Sequence, residues 1–411
     1  MRLRRLLVGI FLVSTVATLG LGGPKLIIAG RDGVYGAAMQ LAVDLYKAEH
    51  PDVDIELLKL PYSGLYEKLV IDFREAIGAY DVVLLDDVWA TEFMSLGWLA
   101  NLEALGFTAE ADFVGKALAV GRYPYAQGAL YAVPHVGNVE LFAYRKDLFD
   151  KYGLPEPKSW LEVLGAAALI ERYEPGIKGI VFRGKKGNPI VTGFLPIFWS
   201  FGAEILDVDG RPTLNSPQAV AALKFFLAMK AFAPTGVEIY DSSELRDALQ
   251  GGTVAIATEV WPAWVPALDD PAKSKVVGQV EIIPHPGLVA ESSPVIGIWL
   301  LAIPTASKNK ATALDFLRFV SSPAVQKKLA LEVGLPPTRV SVYQDPEVVA
   351  KYRWYPAQLA ALDASRPRPR VPEWAQIEGV LGDYLQLALV GSMPPEEALA
   401  AAQARVEEIL R

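Results

Sequence analysis

The chain of 411 residues contains no cysteine, which excludes disulfides, thiolate metal centres and cysteine nucleophiles together. Histidine is nearly missing: His50, His135 and His285 are scattered, and no metal site is expected from them. Asparagine is scarce while proline, at 30, is plentiful, a bias of heat-adapted or GC-rich sources. No G-x-x-x-x-G-K-[ST] run occurs, and the Gly33/Gly36 spacing is not that of a dinucleotide loop, so no nucleotide cofactor is expected. A basic stripe is lacking too. With 39 Lys+Arg against 47 Asp+Glu, the net charge is −8, and an acidic surface repels phosphate backbones, so no nucleic-acid partner is expected. Neither a repeat of fixed period nor a low-complexity linker divides the chain.

What remains is an ordinary globular composition, 52% hydrophobic and 21% charged, long enough for two or three domains. The start is basic (Arg2, Arg4, Arg5) and is followed by an uncharged apolar run from Leu6 to about Gly22. That is the form of a secretory signal, somewhat short for a membrane span. Residues 1–23 are therefore expected to be a signal peptide or N-terminal anchor, with the mature protein periplasmic or otherwise outside the cytoplasm. Short apolar runs at 26–30, 53–60 and 81–85 read as strands, and helical spacing at 35–49 and 66–75 reads as helices between them. This β-α-β-α-β order predicts an open α/β lobe. The pattern restarts with strands at 139–145, 179–182 and 253–257. Helices are expected at 159–173, opened by a serine cap, at 216–230 and at 244–250. A strand at 295–303, a helix at 310–319 and a mostly helical tail from 372 complete the chain.

Several segments resemble one known family in order and spacing: YDVVLLDDVW at 80–89, YAVPH at 131–135 with LFAYRKDL at 141–148, KSWLEVL at 158–164 and LNSPQA at 214–219. ALQGGTVAI at 248–256 with Trp261, GIWLLAI at 297–303 and GLPPTR at 334–339 continue the match. Together they resemble the family 1 extracellular solute-binding proteins, the group that includes maltose- and trehalose/maltose-binding proteins. The family's lipid-accepting cysteine is missing. The resemblance implies an α/β fold, periplasmic-binding-protein-like (type II): two α/β lobes joined by three crossovers around a central cleft. It implies a first lobe at 24–134 plus 296–335 and a second at 135–295 plus 336–411. The third crossover would then be GLPPTR. It further implies a monomer that binds a small molecule, a sugar in such a family, by hinge closure, delivers it to the membrane permease of an ABC importer, and catalyses nothing.

A sugar presents hydroxyls at its edge and C–H groups on its faces, so its site needs carboxylates or amides together with flat aromatic rings. In α/β lobes these belong on loops at the carboxyl ends of strands. Candidates by that rule are Tyr35 and Tyr62 after the first two strands, and Asp86, Asp87 and Trp89 after the third. In the second half they are Trp199, Glu204, Glu259, Trp261 and Trp264, and at the crossovers Gly297 and Trp299. In SRPRPRVPE at 365–373, Arg366 is the favoured ligand donor, with Arg368 and Arg370 expected in solvent. Plain structural duties compete for several of these: Asp87 as a helix cap, Trp89 as core, Glu204 and Glu259 as surface charge. Two rival functions also stand. One is binding of a polyol or glycerophosphodiester, for which Arg366 and Arg339 would be the cations. The other is a secreted glycosidase with Asp86/Glu204 or Asp87/Glu259 as paired carboxylates.

Overall fold

The computed structural model describes residues 25–411; the basic start and apolar run expected to be a signal or anchor lie outside them. Among the described residues no helix is long and apolar enough to cross a membrane. The strands are β1 (Lys25–Arg31), β2 (Asp54–Leu60), β3 (Val82–Asp86), β4 (Arg122–Tyr123), β5 (Ala129–Leu130), β6 (Ala132–Val136), β7 (Leu141–Arg145), β8 (Lys178–Val181), β9 (Val254–Val260), β10 (Val280–Ile283) and β11 (Trp299–Ala302). They build a five-stranded sheet in the order β2-β1-β3-β11-β6 and a four-stranded sheet in the order β10-β7-β9-β8, with β4 and β5 as a separate pair.

In the first sheet β1 runs parallel to β2 and β3. β3 is buried at every residue, as the uninterrupted apolar run at 82–85 demands of a strand covered on both faces. β6 runs toward the second sheet and leaves through 137–140. β11 returns from it, and so lies antiparallel to both β3 and β6. The outgoing and returning passages pair with each other: Gly297 N donates to Asn138 O at 3.0 Å and Glu140 N to Val295 O at 2.9 Å. In the second sheet β7 is antiparallel to β9 and β10, while β8 is parallel to β9.

Helix starts follow the local chemistry. Ser159 and Glu162 form a capping box on the helix Trp160–Tyr173, and Asp241 and Glu244 form another on Ser242–Gln250. The second helix begins at Tyr62, one turn before the expected start, because Pro61 occupies its N-cap. Tyr62 is therefore a helical residue and not part of a loop.

One boundary differs from expectation. GLPPTR does not carry the chain into the second lobe. Thr338 Oγ1 donates to Pro134 O at 3.0 Å, and Arg339 is buried, donating to Ser321 O and Glu110. Tyr343, Tyr352, Tyr355 and Leu362 then bury themselves in the same cluster as the first sheet and one face of the second. Residues 340–364 thus floor the junction between the lobes. The chain reaches the second lobe's own core, on the other face of the second sheet, only with the helix Trp374–Leu389. The third passage is therefore 365–373. The reason lies in the helix Tyr355–Ala364, which runs beside both the helix Gly115–Ala119 and β10 and buries Tyr355, Ala361 and Leu362.

Candidate functional site

A cavity of about 590 Å³ opens between the two sheets. Its first wall is made by the carboxyl ends of β1, β2 and β3. Arg31 and Asp32 lead into the helix Gly33–Glu49, which contributes Tyr35; Tyr62 opens the next helix, and Asp86 closes β3. Trp299, the first residue of β11, lies beside them. The rings are packed on one another: Tyr35 stacks on Trp299 at 5.1 Å, and Trp89 supports both Tyr62 and Trp299 from behind. The Arg31 guanidinium lies 5.0–5.3 Å over the rings of Trp299, Tyr35 and Tyr62, a cation–π arrangement. Trp299 is consequently only 2% exposed.

Tyr62 Oη donates to Asp86 Oδ2 at 3.1 Å. Burial, helped by the neighbouring charge of Asp87 and opposed by Arg368, pushes the Asp86 carboxyl up to about 7. Burial likewise raises the phenol of Tyr35 to about 12 and pushes that of Tyr62 well up, so both tyrosines stay neutral donors at ordinary pH.

The second wall comes from β8, β9 and two helix starts. Arg183 follows β8, Asn188 and Thr192 belong to the first turns of the helix Asn188–Ser200, and Asp241 with Ser242 opens another helix. Trp261 and Trp264 follow β9 and are half-buried, with more ring surface left open than Trp299. Arg183 reaches Asp241 Oδ1 at 3.4 Å and Ser242 Oγ at 3.3 Å, and also pairs with Glu259. The floor is formed by the passages between lobes, through Asn138, Gly297 and Arg368. Gly297 is there for space: a Cβ would stand 2.7 Å from Trp261 Cζ3.

Of the residues expected at the site, Tyr35, Tyr62, Asp86, Trp261, Trp264, Gly297 and Trp299 line this one cavity. The other six do not. Asp87 is wholly buried and holds two arginines, Arg368 at 2.9 Å and Arg370 at 3.3 Å. Trp89 is packed behind Tyr62. Trp199 is 3% exposed in the second core. Glu204 and Arg366 grip each other at 2.7 and 2.8 Å, with the guanidinium 5.0 Å over the Trp199 ring. Glu259 is buried on β9 and lies behind Trp261 and Arg183.

The choice among the arginines is thereby reversed: Arg366 faces the second lobe's surface, whereas Arg368, expected in solvent, is 4% exposed and reaches the cavity floor. Arg31, Asp32, Arg183, Asn188, Thr192, Asp241 and Ser242 were not anticipated. Applying the strand-end rule to β1 and β8 would have found Arg31, Asp32 and Arg183; the capping pattern D-S-S-E at 241–244 marked a helix N-terminus but not its direction.

A family model described as bacterial extracellular solute-binding protein matches residues 31–327. A mannitol-binding protein of Pseudomonas aeruginosa is 28% identical over 395 residues, covering 89% of this chain and 88% of the relative. A Sinorhizobium fredii protein named as a probable amino-acid ABC transporter periplasmic-binding protein is 27% identical over 388 residues, covering 92% and 88%. Among solved structures, the maltose-bound T. maritima MalE3 superposes with a TM-score of 0.83 at 27% identity, covering 94% of this chain and all of the other.

Proposed function

The chain belongs to the bacterial extracellular solute-binding proteins, and on that premise we propose that it captures a small neutral sugar in the interlobe cavity and delivers it to the permease of an ABC importer. The observation that carries this reading is the shared cavity: Asp86 and Tyr62 on one lobe face Trp261 and Asp241 on the other, with Arg368 between them. Carboxylates and a guanidinium serve hydroxyls, and the indoles of Trp261 and Trp264 serve a C–H face. A micromolar ligand represents about −8 kcal/mol, which a few charge-assisted hydrogen bonds of about 1.5–3 kcal/mol each can supply after ordering costs. Because the ligand would touch both walls, it favours the closed arrangement through contacts that exist only there.

Binding without chemistry is supported by the fate of the carboxylates that could act in pairs. Asp87 and Glu259 are spent in buried ion pairs, and Glu204 lies outside the cavity wall. Arg339 and Arg366, the cations expected for a glycerophosphodiester, are engaged by glutamates outside the cavity wall, and of the arginines that line it Arg183 and Arg368 are already paired with carboxylates while Arg31 lies over three aromatic rings. A polyol is the second reading: Trp299 and Tyr35 are largely covered by Arg31 and by each other, leaving a wall richer in hydrogen-bonding groups than in open rings. We place the protein outside the cytoplasm as a monomer, taken there by its basic and apolar start.

Tryptophan fluorescence and calorimetric titration with maltose, D-mannitol, ribitol and a set of amino acids test the proposal. Saturable binding of a sugar supports it, and binding of D-mannitol or ribitol alone moves the ligand to the second reading. Binding of amino acids only, no binding of any probe, or release of hydrolysis products from maltose overturns it.

A further inference from the structure

Glu259 is a buried carboxylate directly behind the second wall and not itself part of it. It is 1% exposed on β9. Its Oε1 accepts from Trp261 Nε1 at 2.9 Å and from Thr192 Oγ1 at 3.2 Å, and it pairs with Arg183. All three partners line the cavity. Gly193 makes the space: a Cβ there would lie 2.7 Å from Glu259 Oε2. The far edge of the Trp261 ring is meanwhile confined by Gly297, where a Cβ would stand 2.7 and 3.1 Å from Cζ3 and Cη2.

The geometry points to Glu259 as a positioning residue that fixes the plane of Trp261 for the ligand without touching the ligand. This rests on the binding reading above and adds a residue to it. An indole on a loop after a strand has two free side-chain torsions. Anchoring its N–H on a buried carboxylate and its opposite edge against a glycine removes that freedom before the ligand arrives, so less ordering remains to be done on binding. The carboxylate suits this better than a neutral acceptor, because a hydrogen bond to a charged oxygen is about twice as strong and because it also balances Arg183.

Two variants and one readout independent of any ligand decide the matter. In the ligand-free full chain, the indole N–H resonance of Trp261 is identified by its loss in Trp261→Phe. We expect it to move far from its position in Glu259→Leu and part of the way in Glu259→Gln, whose amide oxygen still accepts. Affinity for maltose, or for D-mannitol if that is the probe bound, should fall about tenfold in Glu259→Leu and about threefold in Glu259→Gln. In a Trp261→Ala background Glu259→Leu should cost less than about twofold, because most of its effect is transmitted through the missing indole.

An indole resonance unmoved in both variants overturns the inference. So does an affinity loss in Glu259→Leu that is equally large with and without Trp261, which would mean general damage or direct contact. If Glu259→Leu does not fold, the graded shift and the threefold loss in Glu259→Gln decide alone. If no probe binds, the resonance still decides the positioning claim, and the binding reading fails separately.

Discussion

Replacing Asp87 by asparagine keeps the shape of the side chain and one carbonyl-type acceptor while removing the charge that two buried guanidinium groups share. Arg368 and Arg370 are 5% and 10% exposed at their side chains, and Asp87 not at all. Breaking such a pair by deleting one partner typically costs about 3–5 kcal/mol. Three features of this site reduce that. The asparagine oxygen still accepts from one guanidinium. Backbone oxygens hold both arginines: Ile296 O for Arg368, and Asp87 O and Val120 O for Arg370. Asp86 lies 4.0 Å from Arg368, and once its charged neighbour is gone it ionises more readily. The expected loss is therefore about 2–3 kcal/mol at pH 8. At about 2.1 cal/mol/K of unfolding entropy per residue, a chain this long loses about 3 °C in Tm. Urea unfolding of the ligand-free protein, followed by circular dichroism, measures it. Adding Arg368→Met should return more than about 1 kcal/mol, because much of the damage is an orphaned charge and not a missing attraction. A single-variant loss below about 0.5 kcal/mol, or strict additivity of the two changes, would refute the account of Asp87 as the shared counter-ion.

Four further outcomes follow from the same geometry. If a ligand hydroxyl is accepted by ionised Asp86, whose carboxyl sits at about 7, affinity should be about tenfold weaker at pH 6 than at pH 8, and the midpoint should move to lower pH in Asp87→Asn; a flat titration profile from pH 5.5 to 8.5 would contradict it. For the ligand-free protein the sign is opposite. A carboxyl raised above its unfolded value of about 4 adds stability that is complete below that value and is lost as pH rises through about 7, which denaturant titrations across that window can read. Gly297→Ala should weaken binding at least tenfold by pushing the Trp261 ring aside, whereas Arg366→Ala, which breaks a half-exposed pair with Glu204, should leave affinity within about twofold and stability within about 1 kcal/mol.

Local signals in the chain reached far for the fold and about half-way for the site. Strands at 26–30 and 82–85 announce themselves by burial on both faces, and the helix starts at Ser159 and Ser216 by capping chemistry. The antiparallel direction of β11 has no local signature, since an apolar run pairs either way and only the path of the crossovers sets it. The same limit governs the arginine–proline segment. Arg366 and Arg368 alternate with proline and are locally alike, yet one finds Glu204 and the other Asp87; which face turns inward is a matter of long-range packing. Tryptophans divide in the same way. Trp199 sits in a helix, Asn188–Ser200, that is apolar all round and buried nearly all round, so its ring belongs to the core, whereas Trp261 and Trp264 follow a strand that ends at the cleft. Arg31 and Arg183 stand at strand ends as well, but hydroxyl recognition in general terms points to acids and rings there and not to bases.

Arg368 serves two masters, and this sets which evolutionary routes are open to the protein. Its guanidinium faces the cavity and at the same time neutralises the buried Asp87 of the first lobe, so any substitution that retunes the cavity there also loosens the molecule. Val34 and Ala263 border the same cavity with apolar side chains that can make no hydrogen bond or ion pair. Descendants of this chain that switch cargo should therefore differ first at those two positions, and change Arg368 only together with Asp87.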